Sequence, residues 1–127
     1  MNVERFSLDL AEPLDTAAGQ IERREGFLVR LTVAGEVGVG EATPLPGWTE
    51  SVEECEAALQ EAETAASGSD PQAALTSMPR SATAARHGIS TALLDAAAQT
   101  ANAPLCEWLA DGQSAASVPV TATIGDR

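Results

Sequence analysis

Gly38-Val-Gly-Glu-Ala-Thr-Pro-Leu-Pro-Gly-Trp48 joins a strand carrying two glycines to a proline-stiffened turn with an aromatic at its tip. Gly38 and Gly40 fall on one pleat face, where missing side chains let another backbone or a ligand come close. Pro44 and Pro46 stiffen the connection, and Trp48 stands where a plain surface connector would be polar. The stretch reads as a strand that ends in a lid. Upstream, Phe27, Val29, Leu31 and Val33 alternate with Leu28, Arg30 and Thr32, and Phe6, Leu8 and Leu10 alternate with Ser7 and Asp9. That period of two marks half-buried strands. Ala34-Gly35-Glu36 turns the second strand back into a third over residues 37–42, giving a three-stranded antiparallel sheet. Residues 12–25 contain Pro13 and Gly19 and are too many for a tight hairpin, so they are expected to form a second mobile loop.

Downstream, the pattern changes to helical spacing. Ser51-Val-Glu-Glu is a capping box, followed by Val52, Cys55, Leu59, Ala62 and Ala66 on one helical face. Residues 67–69 break this helix, and Asp70-Pro71 is expected to cap and start a short second one. A third, over about residues 82–100, buries Ala85, Ile89, Ala92, Leu93 and Ala96; a face of alanines predicts close packing on something flat. Leu105, Trp108 and Leu109 mark a last helix stopped by Asp111-Gly112. The β-branched segment 118–126 reads as a strand, either a fourth one on the sheet or, since it follows helices, the first strand of a parallel barrel. The fold class is therefore α+β: a three-stranded antiparallel meander followed by a helical bundle over residues 1–112, with 113–127 as a loop and first barrel strand.

The chain has 127 residues, enough for one domain with a real core. Its 19 acidic residues face only 7 basic ones, all arginine, for a net charge of −12. Such a charge repels phosphate backbones and anionic membranes, so no nucleic-acid or membrane partner is expected. Absent lysine, excess carboxylates and few aromatics together suggest a halophilic source; an acidic mesophilic domain is the alternative. The first ten residues carry charges where a signal peptide needs an apolar core, which implies a cytoplasmic location. Cys55 and Cys106 lack metal-ligand spacing, and both fall on apolar helical faces, predicting buried thiols.

Several residues are read as structural. His87 has no triad-like neighbours, Glu41 is expected to be a hydrogen-bonded structural carboxylate, and Glu53, Glu54 and Glu56 form a solvated helix face. Arg23-Arg24 lies between Glu22 and Glu25, where surface pairing is expected.

Five blocks in order carry a resemblance over nearly the whole chain: residues 21–31, residues 40–48, the helix 85–97 with Thr91-Ala-Leu-Leu-Asp, Pro104-Leu-Cys-Glu-Trp-Leu, and 118–126. They are similar to the enolase superfamily, within it the muconate-lactonizing subgroup and especially the o-succinylbenzoate synthases. The resemblance implies a capping domain that belongs with a modified (β/α)8 barrel, the barrel being absent here. It implies a Mg²⁺-dependent dehydratase of menaquinone biosynthesis acting on a small carboxylate, 2-succinyl-6-hydroxy-2,4-cyclohexadiene-1-carboxylate. The alternatives are an N-acylamino acid racemase or dipeptide epimerase, and a non-catalytic folding or assembly module. In such enzymes the Mg²⁺ ligands and the acid and base lysines lie on later barrel strands, so no catalytic or metal residue is assigned in this chain and no Mg²⁺ is expected to bind to it. The resemblance assigns substrate capping to two loops, resembling residues 15–20 and 44–49: Ala17, Ala18 and Gly19 leaving room for a ligand, and Leu45, Gly47 and Trp48 forming an apolar wall. Thr123, on the barrel strand, would hydrogen-bond a substrate carboxylate. The missing barrel is the implied partner, and homo-oligomerisation is left open.

Overall fold

A computed structural model of the chain describes residues 1–16, 19–66 and 72–121. Strands β1 (Asn2–Thr16), β2 (Gly19–Val33) and β3 (Glu36–Ala42) form an antiparallel sheet in the order β1-β2-β3. Helices α1 (Val52–Ala65), α2 (Gln72–Ser77), α3 (Thr83–Thr100) and α4 (Leu105–Leu109) follow. Ala34 and Gly35, both at positive φ, make the two-residue β2–β3 turn, and Val33 pairs with Glu36 across it. Left-handed backbone at both positions is what matches such a turn to the twist of its strands.

The sheet departs from expectation before residue 27. Residues 12–16 and 19–25 are strand rather than loop, because β1 and β2 continue pairing to Thr16 and Gly19. Register slips between Asp9, opposite Arg23, and Leu14, opposite Ile21. The surplus residues on β1 include Pro13, whose missing N–H is tolerated because β1 is an edge strand with an irregularity there. The bulge hid the strand, since it breaks the period-two pattern.

Phe27, Val29 and Leu31 of β2 point to the core, where Leu59 of α1 and Ile89 of α3 meet them. Each is buried to within a few per cent, and burial of a side chain of this size contributes about 1.5–3 kcal/mol. The alanine face of α3 lies on β3, as its composition predicts. A Cβ at Gly38 would collide with the Ala92 carbonyl oxygen, and one at Gly40 with that of Gly88. The two glycines therefore admit a helix backbone rather than a ligand. α3 also covers the free edge of β3: Asp95 Oδ2 accepts from Val39 N at 2.8 Å, and Gln99 Nε2 donates to the Val37 carbonyl at 3.0 Å. An edge satisfied in this way offers no template for another strand.

The expected capping box is present, with Ser51 Oγ accepting from Glu54 N and Glu54 Oε2 accepting from Ser51 N. Cys55 is buried, but Cys106 is exposed, because α4 is too short to bury any of its residues. The predicted cap of α2, Asp70-Pro71, lies outside the described residues. Residues 118–121 are exposed and pair with no described strand, and the rest of the expected strand lies outside the described residues. Among the described residues no helix is long and apolar enough to cross a membrane.

Candidate functional site

The turn after β3 is closed by its own hydrogen bonds. Trp48 N and Thr49 N both donate to the Leu45 carbonyl at 2.9 Å, and Leu45 N donates to Thr49 Oγ1 at 2.7 Å. Gly47 has φ +92°, a conformation that L side chains adopt only under strain. Pro44 is buried beneath the turn, Leu45 is half-buried, and Trp48 projects with 85% of its surface exposed. Trp48 does not pack on the helices.

Glu50 anchors this turn to the fold, and sequence reasoning missed it. Its carboxylate accepts from Ala85 N (2.8 Å), Ala84 N (3.0 Å) and Thr83 Oγ1 (3.1 Å) at the start of α3. α3 has Ala82 at its N-cap and no capping side chain of its own, so a residue more than thirty positions earlier supplies the acceptor. Burial pushes the Glu50 carboxyl up, but the hydrogen bonds from Ala85, Ala84 and Thr83 outweigh it and leave the group below its ordinary value. Beside it, burial and then the Glu50 charge push the Cys55 thiol up to about 12. The local signal for Glu50 was the uncapped Ala82, visible in sequence only as a missing partner.

Opposite the turn stands the tip of the β1–β2 hairpin. Gln20 Nε2 donates to Asp15 Oδ1 at 3.0 Å and Thr16 Oγ1 to the Gly19 carbonyl at 2.6 Å, which stiffens the tip on both sides of residues 17–18. A cleft of about 480 Å³ separates hairpin and turn, lined by Gly19, Gln20, Ile21, Arg24, Leu45 and Trp48 among others. β3 ends at Ala42, so β2 between residues 20 and 25 has no strand on that side and forms the cleft floor. The structure thus brings Gly19, Leu45 and Trp48 together; Gly47 shapes the turn without lining the cleft. Ala17, Ala18 and Thr123 lie outside the described residues.

The arginine pair separates. Arg23 bonds Asp9 at 2.7 Å, whereas Arg24 is partly buried and donates to the Thr43 carbonyl at 3.3 Å. Arg23 thus makes the expected surface pairing, with Asp9 across the hairpin, and Arg24 does not. A second groove of similar volume lies on the other flank of Trp48, walled by Glu54 and Glu61. Carboxylates are the only charged groups in that groove's lining, whereas the first cleft carries Arg23 and Arg24 beside Glu22 and Glu25 and is balanced in charge. His87 is exposed, and Glu41 is an exposed carboxylate that accepts from Thr43 Oγ1. Glu53 and Glu54 face solvent as expected, while Glu56 is half-buried and bonded to Arg5. Among the described residues no three His, Cys, Asp or Glu side chains converge on a point that could hold a metal ion.

Comparison with known proteins places this architecture. Residues 1–96 match the family model for the MenC N-terminal domain. The o-succinylbenzoate synthase of Thermosynechococcus vestitus is 33% identical over 110 residues, 84% of this chain and 33% of that protein. The magnesium complex of a mandelate racemase/muconate-lactonizing-type protein from Roseovarius nubinhibens ISM superposes with a TM-score of 0.81 at 26% identity, covering 98% of this chain and 36% of the other. The substrate-liganded L-Ala-D/L-Glu epimerase of Bacillus subtilis gives 0.73 at 26% identity, covering 85% and 33%. The chain spans about a third of the length of each relative. With its meander, its helices and its turn in the family's order, the chain belongs to the MenC N-terminal domain family of the enolase superfamily, the capping fold of that group.

Proposed function

We propose that the chain is the capping part of an o-succinylbenzoate synthase-like enzyme, with residues 1–112 as the cap and 113–127 leading into a barrel that completes the active site. The observation that carries this reading is the cleft between two stiffened segments, with Trp48 held out at 85% exposure. An indole kept in water by a rigid turn is costly unless something else covers it. Leu45 and Trp48 supply apolar wall, Arg23 and Arg24 offset the charge of Glu22 and Glu25 in the lining, and Gly19 leaves space at the hairpin tip, the role also assigned to Ala17 and Ala18. Closing this pair of segments over a small carboxylate excludes water and orients the substrate. Thr123 is assigned to the same carboxylate from the barrel side. Mg²⁺ would supply charge stabilisation from the barrel side, since among the described residues no His, Cys, Asp and Glu side chains converge to hold it.

The likeness to the Bacillus subtilis epimerase supports a second reading, racemisation or epimerisation of an N-acylamino acid or dipeptide under the same cap. The test is a polypeptide in which this chain precedes a MenC-type barrel, assayed with the cyclohexadiene substrate and with a dipeptide. Dehydration faster than epimerisation is expected, and the reverse order would replace the first reading with the second. The 127-residue chain alone is expected to give no Mg²⁺-dependent turnover; dehydration by it would overturn the assignment of catalysis to the barrel.

A further inference from the structure

Among the described residues Glu50 is the one charged side chain that is buried, and the helix it caps could have been capped without it. Ala84 and Ala85 are the second and third residues of α3, so a serine or threonine at position 82 would satisfy the same N–H groups locally and bury no charge. The acceptor comes instead from the residue that follows the Trp48 turn. What the distant carboxylate adds is a link between turn and helix. The turn does not need Glu50 for its own shape, because Trp48 N, Thr49 N and Leu45 N already close it. It behaves as a unit whose direction is set by its two stems, and both stems rest on the start of α3. Ala42, at the end of β3, lies against Gly88, where a Cβ would meet the Ala42 Cβ at 3.0 Å, and Glu50 reaches Thr83, Ala84 and Ala85. We propose that Glu50 is a positioning residue of the capped site, the length of its side chain setting where Trp48 stands over the cleft, a role that rests on the capping function proposed above.

Length and charge lead to opposite outcomes. Glu50→Asp keeps the carboxylate but is shorter by one C–C bond of about 1.5 Å, so holding the same donors draws the turn toward α3. Glu50→Gln keeps the reach and one acceptor oxygen, while its amide nitrogen can only donate and leaves one N–H of α3 without a partner. If Glu50 only caps α3, Asp is the better replacement; if it positions Trp48, Gln is. A wall displaced by about 1 Å is enough to read in kinetics. Trp48 offers surface rather than a reacting group, so moving it weakens ground state and transition state alike, which raises KM and spares kcat. A loss of folded enzyme does the reverse, lowering kcat at constant KM.

The test is kcat and KM for the carboxylate substrate in a polypeptide joining this chain to a MenC-type barrel, with Glu50→Asp and Glu50→Gln, each alone and with Trp48→Ala, and circular dichroism as the folding control. KM is expected to rise about five- to tenfold in Glu50→Asp and less in Glu50→Gln, with kcat within about twofold, and neither change should raise KM further once Trp48 is replaced. The same non-additivity is read in Glu50→Gln, so a Glu50→Asp that fails to fold does not end the test. A fall in kcat at constant KM, a larger KM in Glu50→Gln than in a folded Glu50→Asp, or KM effects that multiply with Trp48→Ala would overturn the proposal. Trp48→Ala alone separates the two claims. If it raises KM and the Glu50 variants do not, the cap stands and the positioning role falls; if it alters neither constant, the capping function itself falls.

Discussion

Glu50 keeps a charge at 9% exposure because three donors from the start of α3 meet it, and this one carboxylate fixes where the Trp48 turn leaves the fold. Removing it by Glu50→Ala orphans two backbone N–H groups and a hydroxyl, which costs about 2–3 kcal/mol in urea unfolding. The pH dependence follows from the lowered value. The unfolded chain binds the Glu50 proton more tightly, so its stabilisation is complete above the unfolded pKa of about 4.3 and is lost as pH falls through the folded one. Urea midpoints measured from neutral pH downward should fall in this acid range, and Glu50→Gln should flatten that fall. The thiols give a second residue-scale check. Cys55, buried with its pKa near 12, should resist a thiol reagent at mild alkaline pH while exposed Cys106 reacts, so one thiol titrates in the native chain and two after denaturation. Two reactive thiols in the native chain would contradict the packing around Glu50.

At the level of elements, the contact of α3 with β3 is backbone against backbone. Gly38→Ala or Gly40→Ala must push the helix off the strand, and a cost of at least about 3 kcal/mol or failure to fold is expected from urea titration. A loss under about 0.5 kcal/mol would show that the helix is not seated as described. This contact was legible in sequence from two sides, the paired glycines of β3 and the alanine stripe of α3. The capping box of α1 was legible too, because all its partners lie within four residues. Pairing beyond Asp9 was not. Pro13 and the register slip disguise β1 as a loop, and only the hairpin geometry shows that residues 20–25 face the Trp48 turn. Arg24 was misjudged for the same reason, since its partner, the Thr43 carbonyl, comes from a neighbouring chain segment rather than from flanking glutamates. Glu50 illustrates the general limit, as its donors lie more than thirty residues away.

For the whole molecule, the charge of −12 acts on stability through self-repulsion. α1 alone carries Glu53, Glu54, Glu56, Glu61 and Glu63 with no basic residue in its last turn, and Arg5 reaches only Glu56 of these. The ion pairs are exposed and contribute little individually. Screening should therefore raise stability: a shift of several degrees in Tm, corresponding to about 1 kcal/mol, is expected between low salt and molar KCl. Unchanged or falling Tm would remove the halophilic reading of the composition. The same scale holds the proposed function, in which the cleft is one part of a site that the barrel completes. The most direct measurement is kcat/KM for the carboxylate substrate in a polypeptide joining this chain to a MenC-type barrel, with and without Trp48→Ala. The account predicts a loss of about 10- to 100-fold, about 1.4–2.7 kcal/mol of transition-state stabilisation, with the fold unchanged. A Trp48→Ala enzyme with unaltered kcat/KM would contradict it.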